Sequence, residues 1–331
     1  MKTSENFPYE LLDKNRIISR MNELGSARIP FLFIVDFRAL HGYVIPEPEI
    51  NPCFVRFRIS PKLECNPGKI AAQWKLIPVS AADYKPRFDF VKQQINLGNS
   101  FLTNLTQPTE VETNLSLEDL YRISEAKYKL WLRGGFTVFS PETFVRIQGR
   151  TISSFPMKGT IDATIPHAEK LILDDAKEKA EHATIVDLIR NDLSRVADQV
   201  EVKRYRYVEK IATNKKDLLQ VSSEISGVLP DNYRSELGRV LMALLPAGSI
   251  SGAPKHKTLE IIDEAEGYER GFYTGVFGFF DGENLDSGVM IRFVEQAGEK
   301  LVFKSGGGIT ARSVMENEYK ELIQKVYVPV H

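Results

Sequence analysis

The stretch GFYTGVFGFFDGENLDSGVMIRFVEQAGEKLVFKSGGG, residues 271–308, decides the fold class. Short runs rich in Val, Ile and Phe, broken by Asp-Gly turn residues, read as a meander of antiparallel strands. Helical patterns flank it. APKHKTLEIIDEAEG (253–267), stopped by Gly267, comes before, and SVMENEYKELIQKVY (313–327), with Ser313 and Glu316 placed for a capping box, comes after. Further upstream, SELGRVLMALL (235–245) reads as a helix, as does DDAKEKAEHATIVDLIRNDLSRVA (174–197), capped at Asp174 or Asp175. RFDFVKQQINLGNS (87–100) is a third such helix, stopping at Gly98. Strands are expected at FLFIVDF (31–37), FVRFRI (54–59), SFLTNLTQPTEVET (100–113), VEVKRYRYVEKIA (200–212) and LQVSSEISGVL (219–229), with a hairpin joining TFVRI (143–147) to TISSF (151–155). Helices mixed with antiparallel strands make an α+β fold rather than a doubly wound one. No repeat or long linker divides the chain, so the boundary is soft: a short amino-terminal lobe over 1–85, part of the same fold, and a catalytic domain over 86–331.

Composition narrows the function. The 43 basic and 44 acidic side chains among 331 residues leave a net charge of −1, with no electrostatic footprint for nucleic acid or an anionic membrane. A small-molecule substrate is the default. MKTSENFPYELLDKNR has no apolar core of signal-peptide type, and the runs IPFLFIV and VLMALLPA are too short to span a bilayer, so a cytoplasmic protein is expected. Cys53 and Cys65 lack metal-ligand spacing and read as reduced and structural. His41, His167, His182, His256 and His331 are scattered without an HExxH pattern, against a transition-metal site.

Four constellations carry candidate chemistry. In ISSFPMKGTI (152–161), Lys158 ends an apolar run. If the hairpin turns at 148–150, Glu142 lies opposite it. That pair is a cross-strand ion pair or an acid with a nucleophile, the second requiring a neutral amine favoured by burial or a nearby cation. Glu178 and Glu181 share one helix face, as do Glu318 and Glu321, each pair bordering apolar positions; if the helices met, four carboxylates would call for a hard cation, best Mg²⁺. GSISGAPK (248–255) approximates a phosphate loop and fails, because Pro254 intervenes and no Ser or Thr follows Lys255. It still offers backbone N–H groups to an anion, and SGGGI (305–309) reads as a second backbone nest; either is otherwise a tight turn. Arg292 is a carboxylate fork or a paired strand arginine.

SPETF (140–144), FPMKGT (155–160), KEKAEHATIVDLIRNDL (177–193), AGSISGAPKHKTLEII (247–262), ERGFYTGVFGFF (269–280), IRF (291–293), SGGGI and ENEYKELIQK (316–325) stand in the order and spacing of the chorismate-utilising enzymes. Over about residues 85–330 the chain resembles this family, which comprises anthranilate and aminodeoxychorismate synthase components I and the isochorismate and salicylate synthases. The resemblance implies a layered fold in which two large antiparallel sheets form a sandwich with helices outside. It implies substrate contacts from Arg292, Tyr273, Ser251, Lys255, Asn104, Gly306, Gly307 and Gly308. Mg²⁺ ligands are implied at Glu181 and Glu321, with Glu178 and Glu318 in the surrounding shell, and a proton donor to the departing C4 hydroxyl at Glu142.

Lys158 points to the branch. PMKGT is similar to the lysine-bearing motif of the aminodeoxychorismate synthases, whereas anthranilate synthases have alanine there. The resemblance implies that this lysine attacks C2 of chorismate as Glu142 protonates the C4 hydroxyl; ammonia then enters at C4 and expels the lysine, giving 4-amino-4-deoxychorismate for 4-aminobenzoate and folate synthesis. The alternatives are an anthranilate synthase component I and a catalytically weak chorismate-binding subunit. Departures from the family pattern are Leu102, against water-adding members, Gln220 in place of a histidine, and Phe293 in place of a threonine. With no glutamine-hydrolysing Cys and His pair, ammonia is expected from solution or a separate glutamine amidotransferase subunit. An aminodeoxychorismate lyase is expected downstream without a stable complex, and the short amino-terminal lobe predicts no tryptophan feedback.

Overall fold

Strand β2 (Phe31–Val35) is apolar at every position because both its faces are covered, and it marks where the molecule's layers meet. The structure, a computed structural model, describes residues 7–59, 73–211 and 217–329. Around β2 lie β1 (Leu12–Asp13), α1 (Lys14–Ser26) and β3 (His41–Pro46). β4 (Val55–Ile59), β5 (Trp74–Ile77), α2 (Ala81–Asn96), β6 (Leu102–Thr113), α3 (Leu117–Ile123), β7 (Tyr128–Leu132) and β8 (Phe136–Ser140) follow. Next come β9 (Thr143–Gln148), β10 (Thr151–Ser154), β11 (Met157–Asp162), α4 (Ala168–Asp174), α5 (Ala176–Leu193), β12 (Asp198–Ile211) and β13 (Leu218–Val228). Then come α6 (Leu237–Leu244), β14 (Gly252–Ala253), α7 (Lys255–Glu266), β15 (Val276–Phe280), β16 (Leu285–Val289), β17 (Phe293–Ala297), β18 (Lys300–Thr310) and α8 (Met315–Gln324).

Two antiparallel sheets result. The first runs β1-β3-β2-β15-β16-β9-β10-β13-β11, with β12 on the other edge of β13; the second runs β14-β6-β18-β17-β8-β7-β4, with β5 also on β6. Between them, Leu32, Ile34 and Phe277 of the first sheet pack on Leu130, Phe136, Val138 and Phe293 of the second. Each such side chain contributes about 1.5–3 kcal/mol by leaving water. The outer face of the first sheet is covered by α1, α5 and α6 through Ile17, Met21, Ile185, Ile189 and Leu241. On the second sheet α2, α7 and α8 pack through Val91, Ile261 and Leu322 against Leu105 and Ile309. The α+β sandwich expected from sequence is the fold observed, and strands before residue 85 enter both sheets, β2 beside β15 and β4 beside β7.

Several local expectations need correction. The meander over 271–308 does not stay in one sheet: β15 and β16 belong to the first, β17 and β18 to the second, and the chain crosses at Met290–Arg292. SGGGI is strand rather than a turn or nest, Gly306, Gly307 and Gly308 lying opposite Thr106, Leu105 and Asn104 of β6. The capping box on α8 does not form, because Ser313 Oγ accepts the Thr310 N–H (3.1 Å) and the helix begins after Val314 without a side-chain cap. Asp175 caps α5 as expected, accepting from Glu178 N (2.9 Å). Cys53 is exposed, not a core residue; Cys65 and His331 lie outside the described residues.

Candidate active site

The two places where the chain changes sheets run side by side and define the site. From β8 the chain passes through Pro141 and Glu142 into β9, and from β16 it returns through Met290–Arg292 into β17. The crossings are stitched together: Val289 N donates to Glu142 O (3.1 Å) and Phe139 N to Arg292 O (3.2 Å). Arg292 takes a left-handed backbone (φ 50°), which turns the strand out of one sheet and into the other. Glu142 is thus held in the interior at the seam. Burial raises its carboxyl above the ordinary range, against the pull of a hydrogen bond from Ser249 Oγ to Oε1 and of the nearby charges of Lys158 and Lys325. A carboxyl so placed suits proton donation.

Lys158 reaches this seam by another route than the one expected. The hairpin forms, with Ile152 opposite Ile147, but its ladder stops at Ser153. Pro156, which has no N–H to donate, follows, and β11 pairs with β13 instead. Glu142 and Lys158 are therefore not cross-strand partners, although each lies in the other's field. The β11 register shifts between Met157 and Thr160, and Lys158 sits in that irregularity with Nζ donating to Glu181 Oε2 (3.1 Å). The pair is mostly buried, 25% and 10% exposed, so removing either member leaves a costly unpaired charge.

Below lies the glycine strand. β17 accompanies β18 only as far as Lys304, so among the described residues one edge of β18 has no strand partner over Ser305–Thr310. On β6, Asn104 N and Thr106 N bond away from β18, to Ser251 O and Glu266 Oε1, so the residues facing them, Gly306 and Gly308, turn their N–H and C=O groups to the open edge. Lys325 Nζ donates to Gly306 O there (2.9 Å). A Cβ on Gly308 would stand 3.4 Å from Lys158 Nζ and 3.0 Å from Leu102 Cδ1; one on Gly307 would stand 3.5 Å from Glu318 Oε2. Glycine lets α5 and α8 bring their charged groups close to this edge.

Two of the four glutamates hold lysines, one lies beside the glycine strand and one beside β11. Glu181 holds Lys158, Glu321 holds Lys325 (2.8 Å), Glu318 lies beside Gly307, and Glu178 Oε2 would be 3.1 Å from a Cβ on Gly159. An all-carboxylate donor set suits a hard cation such as Mg²⁺ in kind. Among the described residues, however, no three His, Cys, Asp or Glu side chains are grouped closely enough to hold a metal ion.

Of the expected substrate contacts, Arg292 is the strongest. Its guanidinium is partly buried, which disfavours its charge, and only Tyr327 offsets this, by a hydrogen bond and a ring 4.9 Å away. Among the described residues it has no carboxylate partner, leaving a fork for an incoming one. Tyr273 packs against Phe293 (5.8 Å), and burial above all keeps its phenol neutral, with the charge of Glu142 acting in the same direction. Asn104 Oδ1 is buried without a hydrogen-bond partner. Two expectations fail. Lys255 has its donors engaged by Asp192 Oδ1 and Oδ2 (2.8 and 2.7 Å) and Leu244 O (3.3 Å), so it anchors α7 to α5 instead of meeting a ligand. Ser251 gives its hydroxyl to Ala247 O (2.9 Å) and holds its own loop. Residues unmarked in the sequence reading are Ser249, two positions before Ser251 and facing Glu142, and Lys325, whose Nζ reaches Gly306 O. The small-residue run 247–253 was the available signal for Ser249; which serine faces inward depends on the 3₁₀ turn at Gly248–Ile250. Leu102 lies against Gly308, Phe293 stacks on Phe136 (4.7 Å), and Gln220 is buried opposite Thr160.

A depression of about 470 Å³ is lined by Tyr9, Arg16, Arg20 and Glu49, with Arg16 forked onto Glu10. No helix among the described residues is long and apolar enough to cross a membrane.

Residues 53–331 match the chorismate binding enzyme family. A Pasteurella multocida protein described as uncharacterised and PabA-like is 52% identical over 318 residues, covering 95% of this chain and 98% of its own. Anthranilate synthase component 1 of Acetivibrio thermocellus is 35% identical over 263 residues, and aminodeoxychorismate synthase component 1 of Bacillus subtilis 31% over 265. These alignments take in 75% and 76% of this chain but only 52% and 55% of those longer proteins. In fold, the chain is similar to a 2,3-dihydroxybenzoate-specific isochorismate synthase of Bacillus anthracis (TM-score 0.72, 19% identity, 96% of this chain and 89% of that one). Anthranilate synthase component I of Streptococcus pneumoniae is also similar (TM-score 0.65, 21% identity, 98% and 81%).

Proposed function

The chain belongs to the chorismate binding enzymes, and on that footing we propose that it converts chorismate and ammonia to 4-amino-4-deoxychorismate. The observation that carries this reading is Lys158, a mostly buried amine beside Glu181 and within the field of the protonatable Glu142. Lys158, having passed its proton to Glu181, attacks C2 as the neutral amine, the ring double bond shifts, and Glu142 gives its proton to the C4 oxygen, which departs as water. Ammonia then bonds to C4, the double bond returns, and the C2–N bond breaks to release Lys158 as the neutral amine it was at the start. Glu142 regains its proton from the new ammonium group, and the cycle closes.

The substrate is a dicarboxylate. Arg292 would fork onto one carboxylate, and the N–H groups of Gly306 and Gly308 would face the other. Leu102, against Gly308, would keep an apolar wall where a hydrating enzyme needs water. Mg²⁺ would be held by Glu181 and Glu321, with Glu178 and Glu318 around it, only once these carboxylates leave Lys158 and Lys325 and draw together, and it would then supply positive charge for a substrate carboxylate. Ammonia would come from a separate glutamine amidotransferase subunit, and an aminodeoxychorismate lyase would act next.

Anthranilate synthesis is the second reading, favoured by the 35% identity to the Acetivibrio enzyme; a weakly catalytic chorismate-binding subunit is a third, favoured by Gln220. One experiment separates them. Purified protein is incubated with chorismate, Mg²⁺ and excess ammonium salt at mildly alkaline pH, and products are identified by chromatography and mass, with and without an aminodeoxychorismate lyase. 4-Aminobenzoate appearing only with the lyase is the expected result. Fluorescent anthranilate, or chorismate left intact, overturns the proposal.

A further inference from the structure

The ladder around Lys158 is broken where the site needs it firm. β13 is flanked by two strands that both shift register near Ser223: β11 between Met157 and Thr160, and β12 between Arg204 and Tyr207. Regular backbone pairing therefore does not hold Lys158 in place. Ser223 supplies the missing links. Its N–H donates to Pro156 O (3.0 Å), two residues before Lys158. Its Oγ meets His182 Nε2 (2.6 Å), next in sequence to Glu181, and accepts Arg206 N–H (2.9 Å), whose residue has a left-handed backbone in the opposite bulge. The Arg206 guanidinium in turn holds Ile172 O and Leu173 O on α4 (3.2 and 2.9 Å).

We propose that Ser223, acting with His182, is a positioning residue that sets where the Lys158 amine stands relative to Glu181. Both side chains are fully buried, so neither meets substrate or solvent. The two links connect the strand carrying Lys158 to the helix carrying Glu181, one through backbone and one through side chain, at offsets of two residues and one. Among the described residues His182 Nδ1 is buried without a partner, so the contact to Ser223 is the hydrogen bond these residues give the imidazole, and its loss would loosen α5 from β13 at this level. The effect on turnover rests on the reading of Lys158 as nucleophile; the effect on its position does not.

The test compares Ser223→Ala, His182→Ala and His182→Gln, the last placing an amide nitrogen near the position of Nε2. Trace labelling of amines with acetic anhydride, read by peptide mass spectrometry on the folded chain, measures how freely Lys158 leaves Glu181, with exposed Lys75 as internal reference and Glu181→Gln as upper limit. Lys158 should label about tenfold faster in both alanine variants and near the wild-type rate in His182→Gln, the factor corresponding to one buried hydrogen bond. Turnover of chorismate with ammonia should fall by a similar factor, with KM for chorismate within about twofold, a split that general loosening of the fold does not produce. Unchanged labelling in alanine variants that melt cooperatively overturns the proposal. Should Ser223→Ala fail to fold, the His182→Ala and His182→Gln pair decides by the same comparison. If the wild type makes no aminodeoxychorismate, the function reading fails while the labelling still decides the positioning.

Discussion

Ser249→Ala should move the alkaline limb of the activity profile upward. Ser249 Oγ donates to Glu142 Oε1, and this bond favours the carboxylate over the carboxylic acid. Burial acts the other way and prevails, so Glu142 titrates above its ordinary value. A hydrogen bond to a charged group in such a setting contributes about 1.5–3 kcal/mol. Its removal therefore raises the Glu142 carboxyl further above the ordinary range. Because the acid form donates the proton, activity falls as pH rises through the Glu142 pKa, and in the variant that fall comes at higher pH. The assay is kcat against pH with free ammonia held constant, each point compared with wild type so that the titration of other groups cancels. Difference infrared spectra of the carboxyl stretch, with Glu142→Gln as the blank, report the same proton without relying on turnover. A limb that stays in place or moves to lower pH would refute the argument that Ser249 tunes this acid.

Lys158→Ala should reduce aminodeoxychorismate formation to background while chorismate still quenches intrinsic fluorescence; full activity would remove the nucleophile from the mechanism. Gly308→Ala has an ordinary backbone angle to accept it, and its Cβ needs only a small shift of Leu102, so stability should change by less than about 1 kcal/mol. Turnover should nevertheless fall, because the new methyl stands in contact with Lys158 Nζ (3.4 Å) and takes space at the edge where the substrate would lie; equal activity would mean the amine does not work at that edge. Lys255→Met should cost about 3–5 kcal/mol in denaturant unfolding by leaving Asp192 buried and unpaired, with KM for chorismate unmoved. A stable variant with lost chorismate binding would restore Lys255 to the substrate. Glu142→Gln should stabilise the fold at alkaline pH and not in acid. A carboxyl with a raised folded-state pKa contributes its stability below the unfolded value and loses it as pH climbs through the folded value, a loss glutamine does not suffer. Melting temperatures across that window check the sign.

Much of this site was legible before any coordinates, though not always for the right reason. Glu142 and Lys158 were paired by counting across a hairpin; they are neighbours because Pro156 ends that ladder and hands β11 to β13. Lys255 is a substrate contact by the family resemblance, but Asp192 in α5, sixty-three positions earlier, occupies it. Ser249 and Ser251 are indistinguishable in GSISGAPK, and a single 3₁₀ turn gives one to Glu142 and the other to its own backbone.

What the sequence by itself determined are the features set by short-range physics. The Asp175 cap and the Gly267 stop follow from local hydrogen bonding and backbone freedom, and the strands of the meander from alternation and turn residues. Ordered motifs placed the chain in its family. Tertiary structure alone decided which strands lie side by side. A period of two says which residues share a face, not what that face meets, and the meander divides between two sheets because each half buries its apolar side against a different set of partners. That division opens one edge of Gly306–Gly308 and sets Arg292 and Glu142 on adjacent crossings. A linear pattern cannot carry this, since the contacts that enforce it join residues more than a hundred positions apart.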